Sequence, residues 1–238
     1  MRIIFLNSWF GEAGKPYFDF MRIQSKTTDV FCLMEISFEL FEKLKLILKN
    51  YEGFYEKGIL LKSWKIADGM AIFLKKDLSA VNSGKLVTYR NNSNDTGFSQ
   101  YISINTEEGT FHIMSVHGKS RPGHKLDTPA RIEQSRKITG FFKGKKGPKI
   151  IGGDFNLMPE TESIRLLEAD GYKNLIKEFD IKSTRNKVSW EQFKDKPGFT
   201  KQYFADYAFV SPDVKVKNFE VPYTEISDHL PLILDIEI

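Results

Sequence analysis

The strongest constraint on this chain is a succession of short apolar or alternating runs, too brief to be core helices and spread along its whole length. Ile3–Asn7, Val30–Met34, Met70–Lys75, Tyr101–Asn105, Thr110–His117, Lys149–Gly152, Tyr207–Val210 and Leu232–Ile236 are each predicted to be a strand. Helical spacing appears between some of them. Phe38–Asn50 carries Leu40, Phe41, Leu44, Ile47 and Leu48 at intervals of three and four. Thr128–Phe142 opens with a capping threonine and a proline in the first turn, and Glu162–Ala169 ends near Gly171. Arg90–Gly97 reads as a polar loop. The basic run Lys143–Lys149 reads as a solvated turn, with a phosphate-backbone contact as its functional alternative. No linker, repeat or low-complexity tract divides the chain, so one α/β domain over residues 1–238 is expected.

An apolar share of 41% with 13% aromatics supplies a sizeable core and excludes disorder. The net charge of +4 leans toward anionic partners far less than a dedicated DNA-binding module would. A lone cysteine, Cys32 in an apolar run, excludes an intrachain disulfide and a cysteine-rich zinc site, and reads as a core residue. No apolar stretch approaches the roughly 20 residues that cross a bilayer. Arg2–Leu6 is too short for a signal peptide, so a cytoplasmic protein without membrane attachment is expected.

The polar residues at the edges of these runs carry the functional signal. Asn7, Glu35 and His117 close strands, and Asp154 and Asn156 follow Lys149–Gly153. Asp206 opens a strand, and Asp228-His229 precedes another. Each alone has an ordinary explanation: a turn residue, a helix cap, a satisfied core histidine or an Asx turn. A buried carboxylate is costly unless paired or metal-bound, so their joint occurrence points to one convergent site.

In this order, Asn7, Glu35, His117, Gly153-Asp154-Phe155-Asn156, Asp206-Tyr207 and Ser227-Asp228-His229 resemble the endonuclease/exonuclease/phosphatase superfamily. The likeness runs from residue 7 to residue 229. It implies a four-layer α/β/β/α sandwich, two mixed β-sheets flanked by helices, with the site at one end of the sheets. By the same resemblance Glu35 is the principal metal ligand, and Asn7 and Asp228 contribute directly or through water. Such oxygen donors suit Mg²⁺, with Mn²⁺ as a substitute.

The resemblance further implies that Asp154 orients or deprotonates the attacking water and that Asn156 donates to a phosphate oxygen. His229 would bind or protonate the phosphate, with Asp206 orienting its ring. His117 stands where deoxyribonuclease, sphingomyelinase and deadenylase branches carry histidine and abasic-site endonucleases carry tyrosine. It would serve the leaving group, which argues against abasic-site repair. Lys119 and Arg121 lie just beyond and are candidates to grip a substrate phosphate, whereas His124 and Lys125 read as surface loop residues. Trp9 would stack on a base or cover the core. Thr184-Arg185 and the aromatic stretch Trp190–Phe204 receive no role.

The expected activity is Mg²⁺-dependent hydrolysis of phosphodiester bonds in DNA or RNA, with no protein partner evident. The alternative is a phosphatase or phosphodiesterase acting on a small-molecule or lipid phosphate. The inositol 5-phosphatase branch typically carries a Trp-Cys-Asp-Arg-type element where this chain has Phe204-Ala205-Asp206-Tyr207. A catalytically dead relative would have lost the metal Glu, the Asp-x-Asn or the terminal His, and all are present.

Overall fold

Along the first strand the side chains point alternately into two different cores, and this period of two sets the layers. The structure, a computed structural model, describes residues 1–61, 66–89, 96–107 and 109–237. Residues 90–95, within the expected polar loop, lie outside the described residues. In chain order the strands are β1 (Arg2–Asn7), β2 (Val30–Ile36), β3 (Tyr51–Glu56), β4 (Leu60–Leu61), β5 (Ile66–Ala67), β6 (Gly69–Lys75) and β7 (Ser79–Val87). They continue with β8 (Phe98–Thr106), β9 (Gly109–His117), β10 (Lys149–Asp154), β11 (Lys173–Asn174), β12 (Asp206–Val210), β13 (Val216–Glu220) and β14 (Leu232–Ile236). The helices are α1 (Lys15–Gln24), α2 (Phe38–Ile47), α3 (Pro129–Phe142), α4 (Glu162–Ala169), α5 (Leu175–Glu178) and α6 (Lys187–Glu191).

Two mixed six-stranded sheets result, ordered β13-β14-β1-β2-β6-β3 and β11-β12-β10-β9-β8-β7. Ile3 and Phe5 face the second sheet, joining Cys32, Ile72 and Leu74 in one core with Ile102, Ile113 and Ile150. Ile4 and Leu6, one residue out of phase, pack instead with Tyr17 and Met21 of α1 and Leu40 and Leu44 of α2. On the other flank, Phe141 of α3 lies against Tyr101 of β8 with ring centroids 4.7 Å apart. The four layers are therefore helix, sheet, sheet, helix. The sheets approach closely at Gly152, where a Cβ would come within 2.7 Å of the Phe5 ring.

Strand directions put the polar strand ends together. β1 and β2 are parallel, as are β9 and β10, while β14, β6 and β12 run antiparallel to β1, β2 and β10. The C-terminal ends of β1, β2, β9 and β10 thus lie beside the N-terminal ends of β14, β6 and β12.

Several local expectations are corrected. The second helix stops at Ile47, because Leu48 leaves helical geometry to stay in the core. Its cap is Ser37, whose Oγ accepts from the Leu40 amide at 3.1 Å, so Glu35 is not its cap. The second strand runs on through Ile36, and Glu35 sits inside it at a register shift between Met34 and Ile36. A bulge of this kind re-aims a side chain that alternation would have sent elsewhere.

Candidate active site

Asn7, Glu35, His117, Asp154, Asn156, Asp206, Asp228 and His229 all come to this one end of the sandwich. Glu35, His117, Asp154, Asn156, Asp228 and His229 line a cleft of about 700 Å³. Register explains part of the convergence: Asp154 on β10 pairs with His117 on β9 and with Asp206 on β12. Gly153 permits it, since at φ 128° its backbone passes so near β9 that a Cβ would lie 2.4 Å from the Val116 carbonyl oxygen.

Asn7 bridges carboxylates of the two sheets. Its Nδ2 donates to Glu35 Oε1 at 3.0 Å and to Asp154 Oδ2 at 3.1 Å, and its Oδ1 accepts from the Trp9 amide at 3.0 Å. In this arrangement Asn7 turns its nitrogen, not its oxygen, toward the carboxylates. Ser227 ties the last motif to the first, its Oγ donating to the Asn7 carbonyl at 2.7 Å and accepting from the His229 amide at 3.2 Å.

His229 lies between two carboxylates. Its Nδ1 is 2.9 Å from both Asp206 oxygens, and its Nε2 is 3.6 Å from Asp154 Oδ2. Arg185 Nη1 contacts the same Nε2 at 2.9 Å. A guanidinium only donates, so Nε2 accepts and the ring hydrogen sits on Nδ1, facing Asp206. Burial, then the Asp154 charge, pushes the Asp206 carboxyl up, its oxygens accept from Nδ1–H, and its backbone amide donates to Thr184 Oγ1 at 3.1 Å. Burial, then the Arg185 charge, lowers His229 to about 4 against the pull of Asp154 and Asp228. The imidazole is neutral near pH 7.

Asp154 is the opposite case. Burial alone would raise it, but His229, Lys125, His117 and Arg185 hold it down at about 2. One oxygen accepts from the Asn156 amide at 2.9 Å. The Asn156 carboxamide donates to the Gly118 carbonyl at 3.2 Å and accepts from Lys125 Nζ. Lys125 is therefore no surface residue. It is buried against Asn156, and burial presses its ammonium down to about 8 while Asp154 and Asp206 oppose that fall.

His117 sits on the Glu35 side, its Nε2 3.7 Å from Glu35 Oε1 and its Nδ1 2.8 Å from Thr96 Oγ1. Thr96 Oγ1 also donates to Asp68 Oδ2 at 2.6 Å. Burial first, then Asp68 and Asp228, pushes Glu35 up to about 8, with His117 and Asn7 pulling it down. Asp154, Asp206 and His229 form a compact cluster of the kind that holds a metal, but its atoms are already engaged with one another. The crowded negative charge around Glu35 is the better fit to a divalent cation.

Arg121 is exposed at the cleft rim. Lys119 is half-buried and lays its ammonium over the Tyr89 ring, 5.2 Å from the centroid, and is not part of the cleft lining. Trp9 lies in a short 3₁₀ turn at the cleft.

The sequence reading missed Asp68, Thr96, Thr184, Arg185 and the burial of Lys125. Asp68 could have been found by the rule that found Asp206, since it stands just before an apolar strand. Arg185 offered no such signal. Backbone strain also marks the site: Trp9, Phe10, Glu35, Lys125 and Asn156, all with φ between 45° and 55°, line the cleft.

Comparison with known proteins decides the family. A model of the endonuclease/exonuclease/phosphatase family matches residues 14–229. The chain belongs to this family. Its members are generally hydrolases of phosphoester bonds and commonly use divalent metals. Among curated proteins, none matches. The human nocturnin catalytic domain with a bound sulfate anion superposes with a TM-score of 0.73 at 20% identity, covering 100% of this chain and 94% of that one. A mannosyl-6-phosphatase of Bacteroides thetaiotaomicron gives 0.69 at 18% identity over 100% of both chains. A truncated Caenorhabditis elegans TDP2 gives 0.66 at 18%, covering 99% and 96%. At these identities the likeness is one of fold. No helix among the described residues is long and apolar enough to cross a membrane.

Proposed function

We propose that this family member is a Mg²⁺-dependent phosphodiesterase acting on nucleic acid in the cytoplasm. The observation that carries the reading is Asp154, an ionised carboxylate on the cleft floor held between Asn7 and His229. Such a group orients an attacking water for in-line displacement, but at about 2 it is too weak a base to keep the proton. His229 Nε2, 3.6 Å away and neutral, is the onward acceptor. Asp206 holds that ring in the tautomer that leaves Nε2 able to accept. On the far side His117, braced by Thr96, would serve the leaving oxygen. Asn156, locked by Lys125, keeps the Asp154 loop in register.

Glu35 and Asp228 would hold the cation, with Asn7 fixing the Glu35 carboxylate. When bound, Mg²⁺ would neutralise charge on the phosphoryl oxygens and lower the barrier to displacement. Support for a polynucleotide comes from residues 187–202, where Trp190, Phe193, Lys196 and Phe199 line the cleft and Lys201 lies over the Trp190 ring. Aromatic faces interleaved with cations suit bases and their phosphates.

The test is a substrate panel of single-stranded RNA, single-stranded and plasmid DNA, bis-p-nitrophenyl phosphate and sugar phosphates, with Mg²⁺, Mn²⁺ or EDTA. Nucleic-acid cleavage that EDTA abolishes is the expected result. Turnover confined to sugar phosphates would transfer the assignment to a small-molecule phosphatase.

A further inference from the structure

Arg185 is tied to the last catalytic motif through the backbone. It forms an isolated antiparallel bridge with His229, and the Leu230 amide donates to the Thr184 carbonyl at 2.9 Å. From this anchor Nη1 reaches His229 Nε2 at 2.9 Å and Nη2 reaches Asp228 Oδ2 at 3.3 Å. The side chain is 12% exposed and lines the cleft together with Asp154.

The partners of this guanidinium are unequal. Asp228 is a charged acceptor, whereas His229 Nε2 is the lone pair of a neutral ring. A phosphoryl group presents paired anionic oxygens that match the planar fork, and binds a guanidinium more strongly than an imidazole does. The present contact also occupies the nitrogen that must face the reacting water or phosphate. Nε2 cannot serve Arg185 and the substrate at once.

We propose that Arg185 is a phosphate-binding residue of this cleft. When a phosphoryl group enters, the guanidinium leaves His229 Nε2 for a non-bridging phosphate oxygen and opens that nitrogen to the reaction. Arg185 thereby couples substrate arrival to the readiness of His229. An arginine that merely braced the loop would hold His229 and Asp228 in every state.

This role presupposes the phosphoester-hydrolase reading, but its test does not depend on turnover. Orthophosphate affinity is measured by calorimetry in the presence of Mg²⁺ for the wild type, Arg185→Lys and Arg185→Met, with melting curves for each. Loss of a charge-assisted contact should weaken phosphate binding by about tenfold or more in R185M, with R185K between the two. Guanidinium ion added to R185M should restore part of its hydrolysis of bis-p-nitrophenyl phosphate. Equal phosphate affinity in folded wild type and R185M would overturn the role, as would a wild type that binds no phosphate. If R185M does not fold, a crystal structure of the wild type soaked in orthophosphate decides. A guanidinium on the phosphate supports the role, and one still on His229 Nε2 refutes it. Failure of the wild type to hydrolyse any ester on the panel, with phosphate still held by Arg185, would instead remove the hydrolase reading.

Discussion

The strand-end residues and the segment 187–202 line the same cleft and are built in opposite ways. Asp154, Asp206 and His229 are 2–3% exposed, rooted in sheet strands or adjoining them, and each has named hydrogen-bond partners. Phe193 and Lys196 are both exposed, in the turns that follow the short helix α6. On the proposed reading, chemistry that depends on sub-ångström placement belongs to the strand-end half, and selection of what enters belongs to the half that can vary without disturbing the sheets. If that division is right, damage to the first half abolishes turnover of every ester, and damage to the second changes only which ester is preferred.

The sharpest way to break the comparison is at the strand-end half. Asp154→Asn and His229→Ala should each lower kcat on all substrates by on the order of 10³-fold, as removal of a group acting in the transition state does. Steady-state kinetics on a nucleic acid and on a small diester measures this, and a loss on one substrate alone would contradict it. Lys125→Met comes next. The Lys125 ammonium is charged below about 8 and neutral above, so wild-type kcat/KM should fall as pH rises through that value. The variant should lose about tenfold at pH 7 and lack that limb, because only a charge can titrate away.

Metal affinity sharpens the same half. Burial pushes the Glu35 carboxyl up to about 8, so on the proposed reading a cation held there would displace a proton at pH 7. Apparent Mg²⁺ affinity should then rise about tenfold per pH unit below this value and level off above it, with proton release visible by calorimetry in different buffers. The sign for stability is the reverse. The raised carboxyl favours the metal-free fold fully below its unfolded value, and that contribution disappears as pH climbs through about 8. Glu35→Gln should flatten both dependences.

The smallest effects belong to the exposed wall. Phe193→Ala should raise KM for a polynucleotide by an amount consistent with the roughly 1–3 kcal/mol of one stacked base, leaving kcat on bis-p-nitrophenyl phosphate unchanged. Lys196→Ala should reduce the slope of log KM against log salt by about one phosphate contact. A fall in kcat on the small diester from either change would erase the distinction between the halves.

What the sequence displays follows the same boundary. The eight strands read from apolar runs are β1, β2, β6, β8, β9, β10, β12 and β14, all interior to the sheets. The four it did not announce in the large sheets, β3, β7, β11 and β13, are the sheet edges. An edge strand buries less, so Ser79–Val87 keeps only a faint alternation, and Lys173–Asn174 is too short to show any. Helix α1 was hidden for a related reason: only Tyr17 and Met21 on it are buried. Asn7, Asp154, Asp206 and His229 were legible because a polar residue beside a buried strand stands out. Arg185 and Lys125 were not, because loops carry no period, and their burial arises from tertiary packing alone. The left-handed backbone at Glu35 and Asn156 is equally invisible in composition.

The pairing of β14 with β1 has a consequence for the order of events during synthesis. Asn7 and Glu35 emerge from the ribosome early, whereas Asp228 and His229 arrive just ahead of the strand that docks beside β1. Until that late strand is laid down, Asn7 and Glu35 stand without Asp228, and Asp154 stands without His229. A polypeptide broken off before residue 227 would carry Asp154 and Asn156 but neither Asp228 nor His229. The cleft is thus completed only when β14 is laid down beside β1.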